Sequence, residues 1–244
     1  MRFILNVHPL KTGPSSALYA VICSLAIMLC FVPFLFLGFK KVRRVNTYRV
    51  IGIYWFLNGL VNLPMLRPIQ HEGIRIFFAR FSDWYDLADA PLMLLVFTLA
   101  SSGVLRKQLL LILLGLIGGE TVLLLEKGYT YSWPVIIGAG VVLVLVYSVV
   151  GLWQYLKKME HDRFENSMAF VYAALLFAYG TYLIIFLLSL LPKSANSYNA
   201  EDSGLMYYIS LSLAAVLTSA GIWSYGLRGK KSGGFSPRYS SSSS

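Results

Sequence analysis

Trp133–Leu156 reads WPVIIGAGVVLVLVYSVVGLWQYL, twenty-four residues without one charged side chain. Its valines, leucines and isoleucines fall on every side of a helical wheel, so no polar stripe separates an inside from an outside. A helix apolar all round belongs in lipid or a deep core. About 20 such residues cross the hydrocarbon of a bilayer.

Six further stretches of the same kind surround it: Ala17–Phe39, Tyr48–Leu66, Trp84–Gly103, Gln108–Leu125, Met168–Leu191 and Gly204–Leu227. In lipid the backbone can satisfy its own hydrogen bonds only as helices or as a closed barrel. Alternating ten-residue strands are not found in this sequence, so helices are expected. Composition agrees: 57% of the 244 residues are hydrophobic and 13% charged, about half the charged share of a soluble domain. Mean hydropathy is +0.65. The expected fold is an all-α membrane protein, a seven-transmembrane helix bundle over residues 1–228. A Gly- and Ser-rich tail, 229–244, is expected to be disordered.

Basic residues give the expected orientation. Lys40, Lys41, Arg43, Arg44, Arg49, Arg106, Lys107, Lys157, Lys158, Arg163, Arg228, Lys230, Lys231 and Arg238 fall on one side of the predicted spans. Only Arg2, Lys11, Arg67, Arg75, Arg80, Lys127 and Lys193 fall on the other. The richer side is read as cytoplasmic, which places the N-terminus outside and the C-terminus inside. The net charge of +10 is then topogenic and faces anionic lipid; no nucleic-acid partner is expected. Residues 1–16 lack a basic stretch followed by a cleavable apolar core, so the first span is expected to be a signal anchor. Cys23 and Cys30 share one face of that span and imply no disulfide framework. The long outer segment Arg67–Asp83 alternates basic and aromatic residues over Gly73–Phe81, a pattern that can extend the third helix beyond the bilayer.

The sequence offers little to an enzyme. His8, His71 and His161 all lie outside the spans, so no intramembrane histidine set can hold haem or zinc. No phosphate-binding loop, nucleophile elbow or Cys-x-x-Cys appears. No catalytic or metal-binding residues are assigned. What remains is acidic and amide. Asp83, Asp86 and Asp89 recur every three residues on a stripe about 120° wide at the outer end of the third span. Asp89 and Glu120 lie at similar depth, and Asn58 and Asn62 share a face of the second span. Charged groups in lipid usually face the interior and serve function, although amides also serve simply to join helices. Asp86, Asp89, Asn58, Asn62 and Glu120 form the polar part of a candidate ligand-binding set, which Tyr182 and Ala215 complete.

Four stretches carry a resemblance. Arg80-Phe81-Ser82-Asp83-Trp84 is followed by Pro91-Leu92. Glu126-Lys127-Gly128 precedes Trp133-Pro134 and Ile136-Ile137-Gly138. Ala178-Tyr179-Gly180 lies in the sixth span, and Leu205-Met206-Tyr207 runs through Ile222-Trp223 to Arg228. In order and position these resemble the proteorhodopsin branch of the microbial (type 1) rhodopsins, over about half the chain. The departures bear on function. A gapless overlay puts Leu211 and Ala215 where that family has an Asp and the lysine that forms the retinal Schiff base, and Gly204–Leu227 contains no lysine. The resemblance therefore implies an opsin-like bundle in a bacterial inner membrane that neither binds retinal covalently nor pumps. Three readings stay open. One is a module that binds retinal, a carotenoid or another ligand non-covalently, or that pairs with itself or another membrane protein. Another is a light-independent proton or cation transporter using Asp89 and Glu120. The third is an unrelated seven-helix protein.

Overall fold

A computed structural model describes residues 14–66, 70–190 and 200–227 of the chain. Among these residues every regular element is helical. The long helices are α1 (Pro14–Leu35), α2 (Asn46–Asn62), α3 (Glu72–Ala100), α4 (Gly103–Lys157), α5 (Arg163–Leu190) and α6 (Ala200–Leu227). Short 3-10 turns at Phe36–Gly38 and Leu63–Met65 finish α1 and α2, and one helical turn, Lys40–Arg43, lies between them. The predicted tail, 229–244, lies outside the described residues.

Helix α4 folds back on itself. Gly128 has φ 72° and ψ 169°, a conformation open essentially to glycine alone. In a straight helix residues 123 and 132 would be roughly 13 Å apart along the axis. Here the Ser132 hydroxyl donates to the Leu123 carbonyl at 2.7 Å. The 55 residues of α4 are thus two arms, 103–127 and 129–157, joined at a glycine reversal.

Local chemistry explains the other boundaries. Helix α3 starts twelve residues before the apolar span read from the sequence because its polar beginning supports itself. Phe77 and Phe81, one turn apart, stack with ring planes 3° apart, a pairing that steadies exposed helix. Helix α5 opens with a reciprocal cap. The Glu165 amide donates to Asp162 Oδ1 at 2.7 Å, and the Asp162 amide donates to Glu165 Oε2 at 3.3 Å, which satisfies amides that the first turn leaves free.

Each long helix packs on its neighbours in the chain, and α6 closes the ring against α1. The inside is filled by Tyr48, Trp55, Met93, Leu94, Leu175 and Tyr208, all essentially buried. The outside stays apolar: Leu25 and Met28 on α1, Leu111, Leu114 and Val146 on α4, Phe177 on α5 and Val216 on α6 are exposed. An exposed apolar belt of this extent is a lipid-facing surface. Four stretches, Ala17–Gly38, Gly103–Lys157, Arg163–Leu188 and Asp202–Gly226, are long and apolar enough to cross a membrane. The chain is an integral membrane protein.

Candidate functional site

At the end of the bundle marked by Gly128, α2 to α6 surround a cavity of about 60 Å³. Helix α2 contributes Tyr54 and Asn58, and α3 contributes Tyr85, Asp86, Asp89 and Ala90. The first arm of α4 adds Glu120, and its second arm adds Ile136, Ile137 and Val141. Ala178, Tyr179 and Tyr182 come from α5, and Tyr207 and Leu211 from α6. Pro91 follows immediately in α3. It has no amide to give the carbonyl four residues earlier, which loosens the helix beside the two aspartates.

The three carboxyls are held differently. The Tyr179 hydroxyl donates to Asp89 Oδ2 at 2.7 Å, a short, charge-assisted geometry. With its proton so used, Tyr179 accepts from the Tyr54 hydroxyl over a long 3.4 Å. This makes a chain from α2 through α5 to α3. Asp86 has Trp133 within hydrogen-bonding reach. Glu120 differs from both: the residue is 8% exposed and its Oε1 has no hydrogen-bond partner. Asp83, read from the sequence as part of the same stripe, is not among the residues lining the cavity and accepts from Tyr129 at 3.2 Å, just past the Gly128 reversal.

Five of the seven residues assigned from the sequence line the cavity: Asn58, Asp86, Asp89, Glu120 and Tyr182. Asn62 and Ala215 do not. The Asn62 side-chain amide donates to the Asn58 carbonyl and Oδ1 at 2.8 and 3.0 Å, and its Oδ1 accepts from Tyr208 at 3.3 Å. It therefore joins α2 to α6 behind the wall. Ala215 is fully buried, one turn beyond Leu211. The partner of Asp89 is a tyrosine, where amides had been the evident candidates. Tyr54 and Tyr179 lie well inside apolar spans rather than at their ends, where an interface belt would put them. That displacement was the available signal.

The wall sets a limit on occupants. About 60 Å³ is room for roughly two to four waters, well under the ~300 Å³ at which clefts for drug-sized ligands begin. Among the described residues no group of three His, Cys, Asp or Glu gathers closely enough to hold a metal ion. No family model, no curated protein and no solved structure matches this chain, so the rhodopsin resemblance stands on the four quoted stretches of sequence alone.

Proposed function

We propose that the chain crosses the bilayer seven times, N-terminus outside, and that it is a binding module rather than a pump or an enzyme. The reversal at Gly128 supports the count, since either arm of α4 is long enough for one crossing. The two-to-one excess of Lys and Arg on one side supports the orientation. In this orientation the cavity sits in the outer half of the bundle.

The observation that carries the binding reading is a contrast along the bundle axis: carboxyls line free space at the Gly128 end, whereas the cavity of about 440 Å³ at the other end is lined by Tyr155, Arg163, Asn166 and apolar residues with no carboxyl. The sequence has eleven acidic residues. Those at the other end, Glu160, Asp162 and Glu165, lie in or beside the connection between α4 and α5, outside the packed interior. A transport path needs titratable or coordinating groups through the full depth, and the inner half offers no carboxyl to it. The opsin-like plan, the bacterial inner membrane and association with a second copy or another membrane protein remain parts of this reading drawn from sequence.

Two measurements test it. A reporter fused after Arg228 should be active in the cytoplasm, and one inserted within 194–199 should be external. Both on one side would remove the seventh crossing. In liposomes the chain should carry no proton or sodium current. A leak that disappears with Asp89→Asn would overturn the binding reading and make the Tyr54–Tyr179–Asp89 chain the first part of a transport path.

A further inference from the structure

The cavity of about 440 Å³ at the end away from Gly128 lies where the second arm of α4 meets α5 and α6. Its size falls in the range of clefts that hold a whole small molecule. Arg163 and Asn166 stand in the first turn of α5, and Ala169, Phe170 and Ala173 follow them into the span. From Arg163 to Ala173 is roughly 15 Å of helix. Helix α6 runs alongside in the opposite direction, since Gly221 packs on Ser167 and Ser210 donates to the Phe177 carbonyl. Ser224 is therefore level with the start of α5, and Leu217 is level with Phe170. The wall is ordered: hydrogen-bonding groups at the membrane boundary, then hydrocarbon with depth. Phe170 is also exposed on the lipid-facing surface.

The polar end suits an anion. The Tyr155 hydroxyl donates to Asn166 Oδ1 at 2.7 Å, which leaves the amide N–H groups of Asn166 as its donors to a ligand. Arg163 makes no ion pair among the described residues. The carboxyls nearest in sequence are engaged elsewhere: Glu165 pairs with Lys158, and Asp162 caps α5. Neither lines the cavity. A guanidinium in this state presents a planar fork that matches a phosphate. We infer that this cavity is a binding site for an anionic phospholipid. Arg163 and Asn166 hold the phosphate, and one acyl chain lies along Phe170, Ala173 and Leu217. Basic pockets between membrane helices take such headgroups. A phosphatidylglycerol leaves one net negative charge for Arg163, whereas the choline of a phosphatidylcholine brings its own cation. A free phosphate ester reaches the same donors but leaves the apolar length unfilled, and burial of the chain is where a lipid gains.

The inference is independent of the carboxyl-lined cavity, and lipid competition tests it. The full chain is equilibrated in detergent micelles with equal amounts of dioleoyl phosphatidylglycerol and dioleoyl phosphatidylcholine, and the lipids retained are counted by native mass spectrometry. One phosphatidylglycerol should be kept in preference by about fivefold, the scale that one basic residue contributes at an anionic lipid surface. Arg163→Gln should bring the preference close to one, and Arg163→Lys, which keeps the charge without the fork, should restore part of it. Lys157→Gln removes an exposed cation that does not line the cavity and should leave the preference as it was. Glycerol 3-phosphate in large excess should not displace the lipid. Circular dichroism on each variant checks that the helices persist. Equal retention of the two lipids by the folded chain, or an unchanged preference in Arg163→Gln, overturns the inference. So does an equal loss in Lys157→Gln, which would mean a general surface charge. Displacement by glycerol 3-phosphate would make this a phosphate site and overturn the lipid assignment.

Discussion

The two ends of this bundle are built from the same apolar helices and differ in which polar groups line the space between them. At the end away from Gly128, glycines bring helices into contact. A Cβ on Gly221 would sit 2.7 Å from the Ser167 carbonyl oxygen and 2.9 Å from Phe170 Cβ, and one on Gly151 would sit 2.7 Å from the Tyr172 ring. Around them Tyr172 packs on Phe97 with ring centres 5.7 Å apart, and Tyr48 packs on Tyr225 at 4.9 Å. At the Gly128 end, Gly180 has nothing within 4 Å of a Cβ, and the space between helices is kept open and lined with carboxyls. Other glycines at this end are tight: a Cβ on Gly140 would sit 2.6 Å from Ala90 Cβ, one on Gly59 2.8 Å from Phe31 and one on Gly204 2.7 Å from the Tyr19 hydroxyl. What separates the ends is chemistry: carboxyls line the space at the Gly128 end, and Arg163, Asn166 and apolar residues line a cavity of about 440 Å³ at the other. A binding module needs that asymmetry; a conduit does not.

The largest effect should come from filling the tight glycine contact at Gly221. Gly221→Ala places a methyl against a backbone oxygen that cannot rotate away, so it should cost about 1–3 kcal/mol in spite of alanine's better helix propensity. Gly180→Ala, where nothing lies within 4 Å of the added Cβ, should be neutral or stabilising by up to about 1 kcal/mol. Unfolding of both variants in mixed micelles checks the pair. Equal losses would mean that the two glycine sites do not differ in packing.

Next come the carboxyls. Asp89→Leu removes the acceptor of Tyr179 and should destabilise by about 1–3 kcal/mol, the cost of stranding a buried hydroxyl. Asp89→Asn keeps an acceptor oxygen and should lose under about 1 kcal/mol. Similar losses in the two variants would show that the Tyr179 bond does not hold the bundle.

The asymmetry also decides how much could be read from sequence. Helical class was legible because an all-round apolar pattern has one solution in lipid. The reversal at Gly128 fell between two predicted spans, but nothing local foretold that helix would run to within one residue of it on both sides. The polar wall was half legible. Charge in an apolar span is conspicuous, so Asp86, Asp89 and Glu120 stood out, and a helical face could be assigned to Asn58. Which helix supplies the partner is a tertiary matter. Tyr179, 90 residues from Asp89, reads locally as one more aromatic in a membrane protein. Asn62 was misplaced for the same reason: sharing a face with Asn58 does not say that Tyr208 will claim its oxygen.

Smaller effects are expected where the chain leaves the bundle. Asp162→Ala removes a cap from α5 and should cost about 1 kcal/mol. The exposed pair of Lys158 with Glu165 is weaker still. Its hydrogen bond holds the Lys158 ammonium above the usual range. A raised folded-state value means that its contribution is complete at neutral pH and is lost as pH rises through that value. Lys158→Ala should leave stability almost unchanged, and any small effect should shrink in high salt. Urea unfolding at two salt concentrations checks both statements.

The smallest effect on stability should come from Glu120. Glu120 Oε1 has no partner to lose, and the carboxyl lines a cavity rather than holding a helix. Replacing it by an isosteric amide breaks no hydrogen bond and removes a charge that is costly to bury. Glu120→Gln should therefore be neutral or stabilising, and Glu120→Leu should cost far less than Asp89→Leu although both delete a buried carboxyl. Groups kept for a ligand commonly stabilise a protein when removed, because the unliganded site carries unsatisfied polarity. Parallel unfolding of Glu120→Leu and Asp89→Leu without added ligand makes the test. A loss at Glu120 as large as that at Asp89 would mean that it has a structural partner within the bundle, and the contrast between the two carboxyls would be gone.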